Sequence, residues 1–180
     1  MDPLAHASIA LLARPLAPKA PLWALIAATQ APDALYFALA AAGVEKMAET
    51  RFDLNHGLVY LKQPVIPWSH GLTTCLAMSG ATGGLTYLLT RDRRSSLVAG
   101  LMLFGHWLLD ATVYPTMPVF FRPRPAVGLG LITSRTGFIL GTLLELALVA
   151  GGVWGRHGCG RRALRARRPG RSSDSQASTT

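Results

Sequence analysis

Four long apolar stretches, separated by basic or proline-containing turns, restrict what this chain can fold into more than anything else in its sequence. They run from about Ala20 to Val44, Ser69 to Thr90, Ser95 to Val113 and Thr136 to Trp154. Each approaches the roughly 20 helical residues that cross a ~30 Å hydrocarbon layer at ~1.5 Å per residue. The first is opened by Pro21 and interrupted by Gln30, Pro32 and Asp33; the last includes Gly137, Gly141 and Glu145. Of the 180 residues, 50% are hydrophobic and 15% charged, a balance that suits a bilayer better than water. The expected fold is all-α, an integral membrane bundle of about four transmembrane helices. Residues 3 to 13 add a short apolar helix closed by Arg14-Pro15. It is too short to span and is expected to be interfacial or re-entrant.

The rest of the chain divides around these stretches. Residues 1–155 read as one membrane helical domain, and 156–180 as a basic, then Ser-rich, disordered tail. Glu45 to Trp68 reads as a polar loop in which Glu45, Lys46, Glu49, Arg51, Asp53, His56 and Lys62 largely cancel in charge. In the second stretch Gly80 and Gly84 form a small-xxx-small face for close helix contact. A Gly-rich segment from Val127 to Arg135 reads as loop or helix start. The net charge of +9 raises nucleic acid as a partner, but the basic residues crowd the tail and the short turns. They read as orienting charges, and no nucleic-acid partner is expected. With the N-terminus cytoplasmic, that side collects Arg14, Lys19, Arg91, Arg93, Arg94 and seven arginines after Trp154, the larger share of the 18 Lys and Arg. Both termini are therefore expected inside. Cys75 and Cys159 form no disulfide framework or zinc motif. The start MDPLAHASIALLARP lacks the basic region of a cleavable signal.

The chemistry concentrates in GHWLLDATVYP, where His106 and Asp110 stand four residues apart in an apolar run. On a helix that spacing stacks both side chains on one face, able to share a metal ion or to form an acid/base pair. Asp33, His70 and Glu145 are the other polar groups expected at membrane depth, where an ionisable side chain without a partner is costly. Counted along their helices, His106 lies ~16 Å and Asp110 ~22 Å from the basic turn, and Asp33 ~20 Å from its own cytoplasmic end. Histidine mixed with carboxylate suits zinc, manganese or iron(II), and an incomplete protein shell leaves room for an activated water. Glu145 reads as a helix-packing group or a partner of Arg135, His56 as a solvent-exposed loop residue and His157 as part of the tail. Two other readings use the same residues: a small transporter or channel subunit handling protons or cations, and a structural membrane protein whose polar groups only fasten helices together.

The order LAHASIALLA, QAPDALYF, PWSHGLTT, FGHWLLDATVYPTMPVFFRP and VGLGL resembles the membrane-bound metal-dependent hydrolases, a family of LexA-binding, inner-membrane-associated hydrolases. The resemblance covers about Met1 to Ser134. It implies a divalent metal, zinc or manganese foremost, held by His6, Asp33, His70, His106 and Asp110, with Asp33 and Asp110 in catalytic positions. It also implies a bacterial inner-membrane protein that hydrolyses an ester or phosphoester, its partners being membrane lipid and a small or lipid-like substrate; a homo-oligomer is left open. Two positions depart from the family pattern: Leu35 stands at the second acid of Pro-Asp-x-Asp, and Val65 at the histidine five residues before His70. These departures point to a single-metal site where relatives hold more, or to a site without metal.

Overall fold

In a computed structural model the described residues are 3–46, 49–53, 58–62, 66–121 and 125–166. Side chains are described for 4–46, 66–121 and 125–154. His56, Val65 and the tail from 167 onward lie outside the described residues.

Six helices account for most of the fold. α1 (Pro3–Ala13) starts on a proline, whose fixed φ and missing N–H suit a first helical position. It ends where Arg14–Leu16 tightens into a 3-10 turn. α2 (Leu22–Ala41) follows Pro21, which caps it in an extended conformation, and carries Pro32 inside. α3 (Pro67–His70) and α4 (Leu72–Thr90) are almost continuous. Gly71 joins them because the Pro67 carbonyl occupies the place where a Cβ would stand.

α4 turns directly into α5 (Arg93–Val113) through Arg91, at φ 52, and Asp92. The Asp92 carboxylate accepts the Ser95 amide at 2.8 Å, capping α5, and hydrogen bonding from Ser95 holds its pKa below the ordinary aspartate value. That negative charge at the helix start offsets the unfavourable placing of Arg93 and Arg94 in the first turn.

α6 (Arg135–Ala166) follows a 3-10 turn at Leu131–Thr133. Its backbone continues past the expected boundary at residue 155. Ala163, Leu164, Ala166 and the neighbouring arginines are good helix formers, which composition alone did not weigh. The segment read as a polar loop contains an antiparallel hairpin, β1 (Glu49–Asp53) with β2 (Leu58–Lys62), Arg51 opposite Tyr60. A second short pair joins β3 (Met117–Pro118) to β4 (Ala126–Val127).

Three helical segments are long and apolar enough to cross a membrane: Leu22–Ala41, Arg93–Val113 and Arg135–Trp154. About four were expected. α4, at 19 residues, is long enough, but five threonines, Ser79 and three glycines lower its hydropathy.

α5 is central, packed on α4, α2 and α1, while α1 lies between α2, α5 and α6. The α4–α5 seam does not use Gly80 and Gly84, whose Cβ positions meet nothing within 4 Å. It uses Ser79 and Gly83 against Ser96 and Gly100, a small-xxx-small pair on each helix, with the Ser96 hydroxyl donating to the Gly83 carbonyl at 2.7 Å. α1 docks comparably on α6: a Cβ on Gly152 would stand 3.0 Å from the Ser8 carbonyl oxygen and 3.1 Å from its Cβ.

Beside the apolar clusters around Leu25 and Leu103, the interior holds several polar groups, and large apolar residues cover much of the surface. His6, Thr29, Ser69, Ser95, His106 and Asp110 are buried, while Trp23, Phe37, Leu89, Leu97, Leu129 and Trp154 are exposed.

Candidate metal centre

The five residues that the sequence singled out as ligands come together where α1, α2, α3 and α5 meet. α5 supplies two of them, because four residues advance a helix by little more than one turn. His106 and Asp110 are both buried, and His106 Nε2 lies 3.4 Å from Asp110 Oδ2. Leu103, Trp107, Cys75 and Met117 pack around this part of α5 and fix its rotation.

The other histidines arrive from separate elements. His70 ends α3, held from both sides: Trp107 Nε1 donates to its carbonyl at 3.0 Å, and the Thr74 hydroxyl from α4 donates to Pro67 at 3.0 Å. Its Nε2 then lies 3.3 Å from His106 Nε2 and 3.5 Å from Asp110 Oδ2. Asp33 projects from α2, its Oδ1 lying 3.3 Å from His70 Nε2 and 3.7 Å from His106 Nε2. Its side chain is 27% exposed, against 5% or less for the other four, so Asp33 stands at the mouth of the cluster.

His6 is brought to the cluster by α1, which packs against α2, α5 and α6. Its ring stacks on His106 with centroids 3.9 Å apart, and its Nε2 lies 3.4 Å from Asp110 Oδ1. Neither ring nitrogen of His6 makes a hydrogen bond within the described residues, an arrangement that is costly in a buried site.

The donor set fits a metal ion. His70 Nε2, His106 Nε2 and Asp110 Oδ2 form a triangle with edges of 3.3, 3.4 and 3.5 Å. Ligands at ~2.0–2.1 Å around a tetrahedral zinc stand ~3.3–3.4 Å apart. Asp33 Oδ1 closes a second triangle on the same two imidazoles. Two overlapping groups can therefore hold an ion, His70 with His106 and Asp110, and His6 with Asp33 and His106. Orientation of His106 supports this. Its Nδ1 lies 2.7 Å from the Thr29 carbonyl oxygen, which can only accept, so Nδ1 carries a proton and Nε2 of the neutral ring offers its lone pair to the cluster.

Glu145 joins neither ligand group. Two residues of the site were missed in the sequence, Glu45 and Ser69. Glu45 was read among solvated loop charges but is only 4% exposed. Its Oε1 accepts the amides of Trp68 and Ser69 at 2.8 and 3.1 Å, and its Oε2 accepts the Ser69 hydroxyl at 2.5 Å. The Ser69 oxygen lies in turn 2.8 Å from His70 Nδ1. The only sequence signal was the serine immediately before His70.

Comparisons with models of protein families, with curated proteins and with solved structures gave no match. What the fold and the site define is a class: a helical protein with segments able to cross a membrane, enclosing a buried His/Asp group able to hold a metal ion.

The docking of α1 gives a test of the part His6 plays. Gly152→Ala is expected to push α1 off α6 and weaken zinc binding, at a stability cost of roughly 1–3 kcal/mol. Gly141→Ala, whose Cβ meets nothing within 4 Å, is expected to leave zinc binding unchanged and stability unchanged or slightly raised. Thermal unfolding and zinc titration of the two proteins in detergent make the comparison.

Proposed function

We propose that this chain is a membrane-embedded, metal-dependent hydrolase that acts on an ester or phosphoester. The observation that carries the reading is the near-equilateral triangle formed by His70, His106 and Asp110, with Asp33 at its open edge and His6 behind it, 3.4 Å from Asp110. Polar groups that merely fastened helices together would pair off in twos; here the Asp110 carboxylate lies within 3.5 Å of three imidazoles at once. The motif order that resembles the membrane-bound metal-dependent hydrolases supports the same reading.

His6, His70, His106, Asp33 and Asp110 are the residues that would hold the ion, zinc or manganese foremost. When bound, the ion supplies Lewis acidity: it lowers the pKa of a water and polarises the scissile group. Asp110, buried among three imidazoles, holds position. Asp33, partly exposed at the mouth, is placed to accept the proton of the attacking water. The helices around the site exclude bulk solvent, and access past Asp33 limits which groups reach it.

The membrane setting belongs to the same proposal. Four spans with α4 included, α1 packed within the bundle, both termini cytoplasmic and residence in a bacterial inner membrane agree with the charge distribution and with the exposed apolar faces. A lipid-like or membrane-proximal substrate follows from where the site lies.

Purified protein is expected to carry stoichiometric zinc or manganese and to turn over generic esters or phosphodiesters in detergent. A transporter subunit would need a sealed compartment and would hydrolyse nothing; a purely structural protein would retain no metal. Ligating imidazoles must be unprotonated, so protons compete with the ion and zinc affinity is expected to weaken as the pH is lowered. A zinc affinity that does not change with pH between neutrality and pH 5 would contradict histidine ligation.

A further inference from the structure

We infer that Glu45 is a positioning residue that sets the tautomer of His70 through Ser69, and so decides whether His70 can bind metal. The inference rests on the metal-site reading above but has a readout of its own. Ser69 has a single hydroxyl proton, and that proton is committed to Glu45 Oε2 at 2.5 Å. Toward His70, at 2.8 Å, the Ser69 oxygen can then only accept, so His70 Nδ1 must carry a proton and donate it. The neutral ring is left with its lone pair on Nε2, facing His106 Nε2 at 3.3 Å. His106 has the same tautomer, set by the Thr29 carbonyl. The two lone pairs face each other across 3.3 Å with Asp33 Oδ1 and Asp110 Oδ2 beside them, a concentration of acceptors that a positive charge, a metal ion or a competing proton, relieves. By placing each ring's own proton on Nδ1, the two orienting contacts leave both Nε2 atoms open to one ion.

Glu45 can impose this because its other oxygen is already held. Oε1 accepts the amides of Trp68 and Ser69, which fixes the carboxylate against α3, and the residue is buried. In Glu45→Gln the amide oxygen can keep both backbone donors, which leaves the NH2 group facing Ser69. The hydroxyl must then accept from Gln and turn its proton toward His70 Nδ1. That reversal places the imidazole proton on Nε2, where it blocks the metal.

The order of effects separates this relay from simple support. Ser69→Ala, which only releases His70, is expected to weaken zinc binding by roughly 10–100-fold, as loss of an outer-shell partner does. Glu45→Gln, though nearly isosteric, is expected to be about tenfold worse than Ser69→Ala, because it actively selects the wrong tautomer. The double variant Glu45→Gln with Ser69→Ala should recover to the level of Ser69→Ala alone. Affinities are measured by zinc titration of the full chain in detergent against a competing chelator.

Nitrogen-15 NMR of metal-free protein, with His70 assigned by comparison with His70→Gln, supplies the independent readout. A protonated, pyrrole-like Nδ1 is expected with Glu45 present, and a pyridine-like Nδ1 in Glu45→Gln. A double variant as weak as Glu45→Gln, or an Nδ1 signal that Glu45→Gln leaves unmoved, would overturn the inference. Should the unsubstituted protein take up no metal at all, the hydrolase reading fails, while the NMR comparison still decides the relay.

Discussion

Asp110→Asn is expected to strip the metal from the protein and to abolish any hydrolysis, although it alters neither the size nor the shape of the side chain. Asp110 Oδ2 forms one corner of the ligand triangle, and its Oδ1 lies 3.4 Å from His6. The carboxylate is thus shared by three imidazoles, and a neutral amide gives a divalent ion no charge compensation. The loss of zinc affinity should exceed the ~10–100-fold that outer-shell partners contribute. His106→Ala should give the same result, since His106 belongs to both ligand groups. Asp92→Asn is the matched control: it lies at the α5 N-cap, away from the cluster, and asparagine caps a helix about as well as aspartate. Metal analysis of the three purified variants decides the matter, and stoichiometric zinc in Asp110→Asn would remove Asp110 from the site.

The second large effect is expected at the α4–α5 seam. A Cβ on Gly100 would lie 2.9 Å from the Ser79 carbonyl oxygen, a backbone atom that can yield only if the helices part. Gly100→Val is therefore expected to cost roughly 3 kcal/mol, the upper part of the usual overpacking range. It should also lower metal affinity without touching a ligand, because α4 continues from α3 and carries His70 toward α5. Gly84→Ala, one residue from the seam glycine of α4 but facing open space, is expected to leave stability within ~0.5 kcal/mol or raise it slightly, since alanine favours helix over glycine. Unfolding in detergent checks both. Equal effects at Gly100 and Gly84 would show that the seam lies elsewhere.

This seam also shows where sequence reasoning stops. Gly80 and Gly84 satisfy the small-xxx-small pattern as well as Ser79 and Gly83 do, and on one helix the two registers differ by a single residue, about 100° of rotation. Only the partner, with Ser96 and Gly100 on α5, selects between them. His106 and Asp110 were legible because both partners lie on one helix and their spacing alone joins them. Asp33 and His70 were legible as polar residues within or at the edge of apolar runs, but their convergence depends on how three elements pack. His6 could be associated with the cluster only through the resemblance, since nothing in an 11-residue apolar helix says that it packs inside the bundle. Glu45 was hidden for the opposite reason. Among alternating acids and bases it carries no mark of burial, and its partners Trp68 and Ser69 lie more than 20 residues away, beyond a hairpin whose charged first strand, Glu49–Asp53, did not announce it.

The wedging of α1 between the second, fifth and sixth helices sets an order of events during biosynthesis. The segment bearing His6 leaves the ribosome long before Gly152, so Ser8 finds its counterpart only after α2 to α5 have been made. At translation speeds of about 5–20 residues per second, that interval is on the order of ten seconds. Asp33, His70, His106 and Asp110 emerge within that interval, so the four other members of the cluster are present before the contact that seats α1 on α6 can form.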